Sequence, residues 1–415
     1  MATRWLVLAD DLTGAADCAI AFAQQGAGAV VSWGLEGAGS GPVVSYDADS
    51  RGLSAPAAAD RHRQALLRLL GPDRILLKKI DSTLRGQPAA ETAATLDVLS
   101  RQQGRAFGIL APAFPATGRT TSGGHVMVNG RPLEEAEVWQ RDHSYASADL
   151  VAVMAEAGVA AALLPLSVIR GSEAGLRAAL AGLMAGPASV AVCDAGTEED
   201  LRRIARASLP AAPGTFFIGS AGLAHALAAE AGDPAQADPV PSLTSPHGTL
   251  MVVGSLAAAS RTGVRRLIAA GAMHFVPVEP EHLLAGPEQD AALCQTVRGL
   301  LEAGQDVLVE IQMHGTPDLS LGPQLARRLA EALTPALPAI GALAATGGET
   351  AAALLAAFGV RGIRLLEELE PGVALGLTLG SVSLPLVTKA GAFGDEDCLG
   401  RIATRLRDLR LKGNL

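Results

Sequence analysis

The stretch RWLVLADDLTGAADCAIAFAQQG, residues 4–26, decides the fold class. It opens on RWLVLA (4–9), an apolar run of strand length. Asp10-Asp11-Leu12-Thr13-Gly14 follows, and AADCAIAFAQQG (15–26) then reads as helix. The same order recurs along the chain. PVVSY (42–46), RILLKK (74–79) and AFGILA (106–111) read as buried strands, with helical stretches such as DRHRQALLRLLG (60–71) between them. It resumes with SVAVCD (189–194), TFFIG (215–219), TLMVVG (249–254), DVLVEI (306–311) and GALAAT (341–346). Strands alternating with helices predict an α/β protein built on parallel strands.

One segment interrupts the rhythm. EAGDPAQADPVPSLTSPH, residues 230–247, carries four prolines and no apolar periodicity, which is the composition of a linker. The expected organisation is a first domain over 1–231, a linker over 232–247 and a second domain over 248–415. Each should be a mainly parallel sheet flanked by helices. A length of 415 residues suits two domains at roughly 100–200 residues each. Residues 112–147 form a second irregular stretch, too long for an ordinary connector and therefore expected to be functional.

Composition narrows the classes. Charged residues are 18% and aromatics 3%, and the formal net charge is −9. Nucleic-acid surfaces need basic stripes or stacking platforms, so that partner is not expected. An anionic ligand would need a local positive site on an acidic chain. Cys18, Cys193, Cys294 and Cys398 form no CxxC pair and read as reduced core thiols. The N-terminus reaches two carboxylates too early for a signal peptide. The longest uncharged apolar stretch, 178–193, is broken by Gly182, Gly186 and Pro187 and is too short to span a bilayer. A cytoplasmic protein without a membrane partner is expected.

In open α/β sheets, ligands bind beyond the carboxyl ends of the strands. The first strand is followed by Asp10 and Asp11, the second by Asp47-Ala48-Asp49-Ser50-Arg51. The third ends in Lys79-Ile80-Asp81-Ser82-Thr83-Leu84-Arg85-Gly86, and the fourth leads into Pro112 through Arg119. Parallel neighbours would bring four polar clusters to one edge. Lys79, Arg51, Arg85 and Arg119 supply positive charge, and an arginine fork matches a carboxylate. Asp10, Asp11, Asp81, Ser82 and Thr83 offer acceptors for hydroxyl groups. Such a pocket suits a polyhydroxylated acid. Asp11 and Thr13 also suit capping of the following helix.

The second domain repeats a strand, a glycine turn and a helix. Gly254-Ser255 follows TLMVV, Thr346-Gly347-Gly348-Glu349-Thr350 follows GALAA, and Lys389-Ala390-Gly391-Ala392-Phe393-Gly394-Asp395 follows LPLVT. Glycine turns at helix N-termini hold phosphate oxygens through backbone N–H groups. Neither GxxxxGK[ST] nor a strand-linked GxGxxG occurs, so P-loop and dinucleotide readings are excluded.

These motifs resemble, in order, those of the four-carbon acid sugar kinase family. They are ADDLTGAADCA (9–19), DADSRGLSA (47–55), KKIDSTLRG (78–86), APAFPATGRTTSGGHVMVNGRPL (111–133), GSAGLA (219–224), VVGS (252–255), TGGETA (346–351), EPGVALG (370–376) and TKAGAFGDED (388–397). The resemblance implies an N-terminal domain that binds a sugar acid and a C-terminal domain that binds ATP, with the reaction in the cleft between them. It implies phosphorylation of the 4-hydroxyl of threonate, erythronate or 3-oxo-tetronate. Asp10, Asp11, Arg51, Lys79, Asp81, Ser82, Thr83, Leu84 and Arg85 would hold the acid. Ser255, Gly347, Gly348, Glu349, Thr350 and Gly391 would hold the nucleotide. Mg²⁺ should bridge the phosphates, held mainly by phosphate and water, with no protein ligands assigned. Asp81 or Asp11 is the candidate base for the hydroxyl, and Lys79 is the third candidate catalytic group. A homodimer is the candidate assembly.

The pattern departs from the family at Ala257, Ser260 and Gly263, where Ser, Thr and Gln are usual. It departs again at Arg141-Asp142-His143, which replaces an Asp-Pro step, and at Ala390, where Ser is common. These differences leave two alternatives: a sugar-acid sensor with a degenerate ATP site, and a kinase for a branched or related sugar acid.

Overall fold

The computed structural model describes residues 3–34, 41–141, 145–232, 243–255, 257–312, 321–391 and 393–413. The chain divides into two units, Met1–Ala237 and Asp238–Leu415. Most of the expected linker, at 233–242, and the Asp142-His143 step lie outside the described residues.

The first unit contains strands β1 (Arg4–Ala9), β2 (Ala29–Ser32), β3 (Val43–Asp47), β4 (Arg74–Lys79), β5 (Phe107–Ala111), β6 (Arg119–Ser122), β7 (His125–Val128), β8 (Arg131–Pro132), β9 (Ala161–Leu164), β10 (Val190–Cys193) and β11 (Thr215–Gly219). Eight of them form one sheet in the order β2-β3-β1-β4-β11-β5-β10-β9. Every pair in it is parallel. Strands buried on both faces read as continuous apolar runs, and β1, β5 and β11 do so. One face packs on helices Ala55–Leu69 and Pro88–Gln103. Leu6, Leu8, Val44, Leu76, Leu110 and Phe216 meet Ala65, Leu66, Val98 and Leu99 there. Helices Leu12–Gln24 and Ala221–Glu230 pack together.

The stretch 112–147 is not irregular. Strands β6, β7 and β8 form a separate antiparallel sheet within it. Gly123-Gly124 and Asn129-Gly130 make its two turns, all four residues with positive φ. Asn-Gly is a strong hairpin signal, but polar flanks masked the strands. Asp194 fixes the first turn, accepting the Gly123 and Gly124 N–H groups at 2.7 and 2.9 Å.

The second unit contains β12 (Thr249–Val253), β13 (His274–Val278), β14 (Val307–Ile311), β15 (Ala342–Thr346), β16 (Val360–Glu370), β17 (Val373–Gly380) and β18 (Pro385–Lys389). Their order is β13-β14-β12-β15-β18-β17-β16. The first five are parallel neighbours, while β17 runs antiparallel to β18 and β16. Helices Ala258–Ala269 and Cys398–Lys412 cover one face through Val264, Leu267, Leu399 and Ile402. Both units are therefore α/β with mainly parallel sheets. Cys18, Cys193, Cys294 and Cys398 are buried free thiols. Among the described residues no helix is long and apolar enough to cross a membrane.

Candidate active site

In the first unit, β3, β1 and β4 are neighbours, with Ala9 abreast of Asp47 and Leu8 abreast of Lys78. Asp10, Lys79 and the 47–51 turn therefore emerge together. The fourth expected cluster stands one strand farther off, because β11 separates β4 from β5. Arg119 still acts electrostatically on this group, since Asp81 and Arg85 both influence its guanidinium.

Strand alternation sends Lys78 and Lys79 to opposite faces. Lys79 Nζ lies 3.0 Å from Asp10 Oδ1 and 2.9 Å from Asp11 Oδ1. It passes over the first turn of helix Leu12–Gln24 at Gly14, where a Cβ would lie 2.0 Å from Nζ. Arg51 donates from Nε to Asp10 Oδ2 at 2.7 Å and from both terminal nitrogens to Asp11 at 2.8 Å. Asp11 also caps its helix, accepting Gly14 N–H at 3.1 Å and the Thr13 hydroxyl at 2.7 Å. The capping and site readings of Asp11 thus coexist.

Asp81 holds the turn after β4. Its Oδ2 accepts Thr83 N–H at 3.2 Å, the Thr83 hydroxyl and Arg85 Nε at 2.9 Å, while Oδ1 accepts Arg85 Nη2 at 2.9 Å. Leu84 adopts φ +60 at the centre of this turn and is fully buried. A non-glycine residue there carries strain that the Asp81 bonds offset. Ser82 and Thr83 are buried beside it.

Lys78 lies on the other face in a buried cluster. Its Nζ is 2.6 Å from Glu91 Oε2, and Glu91 Oε1 accepts the Ser50 hydroxyl at 2.7 Å. His62 Nε2 lies 3.0 Å from that hydroxyl. Ser50 directly precedes Arg51, so this cluster anchors the turn that presents the guanidinium.

Burial alone would raise Asp11, but Arg51 and Lys79 hold it well below the usual carboxylate range. Burial is likewise outweighed at Asp81 by Arg85 and Arg51. Lys79 is pushed up, because Asp10 and Asp11 outweigh its desolvation. Asp47 goes the other way: burial, with Asp11, Asp49 and Asp10 nearby, pushes it up to about 8 despite the Asp49 N–H bond. Asp10, Asp11 and Asp81 thus meet Lys79, Arg51 and Arg85, with Arg119, Asp17 and Asp49 acting from the margin. The cluster gathers cations locally on an acidic chain. Arg51 and Arg85 keep side-chain exposures of 20% and 28%, against 6% for Lys79. The two arginines therefore keep part of their guanidinium surface exposed while paired with Asp10, Asp11 and Asp81.

In the second unit, Val253, Thr346 and Lys389 end three adjacent parallel strands side by side. Gly254-Ser255, Gly347-Gly348 and Ala390-Gly391 follow them. A Cβ on Gly254 would stand 1.9 Å from Thr350 Oγ1, and one on Gly391 2.7 Å from Ser255 Oγ. Ser255 donates to Gly391 O at 3.2 Å. Gly347 has φ +91, and Gly348, Glu349 and Thr350 form the first turn of helix Gly348–Ala357. All six expected nucleotide residues thus lie on this set of turns. Ser260 turns its hydroxyl to Gly391 O at 3.5 Å. At Gly263 a Cβ would come within 3.2 Å of Glu396 O and Leu399, so close helix packing explains the glycine. The sequence reading placed Asp47, Thr346 and Lys389 in the strand-end segments but assigned none of them a binding role. All three sit at strand ends, which was the available signal. Among the described residues no group of three or more His, Cys, Asp or Glu side chains could hold a metal ion.

Residues 5–227 match a family described as a sugar-binding N-terminal domain, and residues 250–399 one described as a nucleotide-binding C-terminal domain. The chain is 44% identical over 413 residues to a D-threonate kinase of Cupriavidus necator, covering 95% of this chain and 96% of that one. It is 35% identical over 420 residues to a D-threonate kinase of Bordetella bronchiseptica, covering 97% and 98%. A solved structure from Salmonella typhimurium LT2 superposes with a TM-score of 0.82 at 22% identity, over 97% of this chain and 100% of that chain. That last likeness concerns the fold.

Proposed function

Because the chain belongs to the two-domain sugar-acid kinase family and is a phosphotransferase of that class, we propose that it transfers the γ-phosphoryl group of ATP to the 4-hydroxyl of D-threonate. The observation that carries the sugar-acid half is the network of Asp10, Asp11, Lys79 and Arg51, with Arg85 held by Asp81. The names of the two similar kinases support threonate over the other four-carbon acids.

In this reading Arg51 and Arg85 receive the substrate carboxylate, and Asp10 and Asp11 receive its hydroxyl groups. Asp81, with 11% side-chain exposure, acts by holding Arg85 and the Thr83 turn. Asp11, with 16% side-chain exposure, orients the reacting hydroxyl beside Lys79. A strongly acidic Asp11 is a poor base in the free protein. Phosphoryl transfer tolerates this, because its loose transition state depends mainly on alignment and charge neutralisation. Ser255, the Gly347–Thr350 turn and Gly391 hold the nucleotide through backbone N–H groups and hydroxyls. Mg²⁺ would arrive with the bound ATP and supply neutralisation of phosphate charge, a role that requires no protein cage.

A coupled ADP-release assay over D-threonate, L-threonate, D-erythronate and the 3-oxo-tetronates tests the assignment. D-threonate should give the highest kcat/KM by about tenfold or more, on the scale of one lost hydrogen-bonding partner. A larger kcat/KM for any other acid would overturn it.

A further inference from the structure

We propose that Lys389, bonded to the Ser260 hydroxyl and abreast of Thr346 on the neighbouring strand, is the cation that binds the terminal phosphates of the nucleotide in the second unit. The proposal rests on the reading of this unit as the ATP site.

Lys389 is 1% exposed, at the carboxyl end of β18. Among the described residues its Nζ touches neutral oxygens: Ser260 Oγ at 3.2 Å, and Ala390 O and Gly391 O at 3.3 Å each. Among the described residues no carboxylate is ion-paired with it. The charged or titratable groups nearby are Glu370 and Cys398. Glu370 bonds to Arg401 through Oε2, with Nε 2.9 Å away, while its buried Oε1 has no hydrogen-bond partner among the described residues and its charge reaches Lys389 without an ion pair. Burial pushes the Cys398 thiol up to about 12, so it is uncharged. Burial also lowers Lys389 itself, against weaker opposing effects of Cys398 and Glu370. A buried ammonium with no ion pair is costly and calls for an anion.

A second observation points to the same place. Thr346 is abreast of Lys389 on the neighbouring strand, so both side chains leave one face of the sheet. Thr346 is 1% exposed, and its Oγ1 has no hydrogen-bond partner among the described residues. An orphaned hydroxyl on one strand and an ammonium with no ion pair abreast of it on the next, both at the mouth of three glycine turns, are completed by one tetrahedral oxyanion. The strand-end placement puts that anion where the turn N–H groups converge.

The test compares wild type with Lys389→Met and Thr346→Val by calorimetric titration with ATP, ADP and adenosine. Melting curves confirm that each variant is folded. Lys389→Met should bind ATP at least about tenfold more weakly while keeping adenosine affinity within twofold, and Thr346→Val should show a smaller loss of the same kind. In wild type, ATP affinity should fall as pH rises through the alkaline range, where the phosphates are already fully ionised. The folded Lys389→Met variant should lack that slope. A folded Lys389→Met that binds ATP as wild type does would overturn the proposal and leave the ATP reading intact. Wild type that binds neither ATP nor adenosine would overturn the ATP reading itself. If Lys389→Met does not fold, the wild-type pH series decides, and an ATP affinity flat across the alkaline range would sink the proposal.

Discussion

At the scale of single residues, neighbouring side chains of one type have opposite fates. Lys78 and Lys79 are adjacent in sequence, yet one is buried against Glu91 and the other reaches Asp10 and Asp11. Asp10, Asp11 and Asp47 differ as sharply. Two are paired with cations, while Asp47 is pushed up to about 8. The linkage has a definite sign. An acid whose folded pKa is raised from 3.8 to about 8 binds its proton more tightly in the folded state. Its stabilising contribution is complete below about pH 4 and is lost as pH rises through about 8. Asp47→Asn removes that dependence. Urea midpoints at pH 5, 7 and 9 should show the variant gaining on wild type as pH rises, by up to several kcal/mol. An equal difference at all three pH values would refute the raised pKa. The residue types at the strand ends were legible in the sequence. Their pairing was not, because it depends on which strands are neighbours.

At the scale of elements, long apolar strands announce themselves and short or two-faced ones do not. β1, β4 and β11 coincide with the expected runs, whereas β2 and β9 have four residues each and carry little signal. The β16–β17 hairpin around Pro371-Gly372 was missed, because β16 mixes charged and apolar residues without a period of two and Gly376 and Thr378 interrupt the apolar run of β17, although β17 fixes the far side of β18. Between elements, the Lys78–Glu91 pair ties β4 to helix Pro88–Gln103, and Ser50 and His62 join it to the Arg51 turn. Glu91→Gln leaves Lys78 buried without its counter-charge. It should cost about 3–5 kcal/mol in urea unfolding. The Lys78→Met/Glu91→Leu pair should recover much of that loss. KM for the sugar acid should rise in Glu91→Gln, because Arg51 loses the support beneath it. A loss below 1 kcal/mol would show that the pair does not hold this junction.

At the scale of the molecule, an acidic chain with net charge −9 still gathers buried or half-buried cations at one strand-end cluster in each unit. Composition gave no hint of either, since both are assembled from strand ends far apart in sequence. Alternation of strand and helix did indicate two mainly parallel sheets, because burial on both faces forces apolar runs into every strand. What alternation cannot express is order within a sheet.

That order has a consequence in time. β11, at Thr215–Gly219, lies between β4 and β5, and Ile80 N–H bonds to Gly219 O at 2.8 Å. Until residue 219 has been synthesised, β4 is an open edge and the Ile80 N–H lacks its partner, so the turn is held only by its own Asp81 bonds. The substrate-facing segment therefore matures only after a contact spanning more than a hundred residues has closed, a slow step for a parallel sheet. In pulse-labelled hydrogen exchange during refolding, Ile80 should gain protection together with Thr215–Gly219 and after β1. Protection of Ile80 ahead of β11 would contradict that sequence of events.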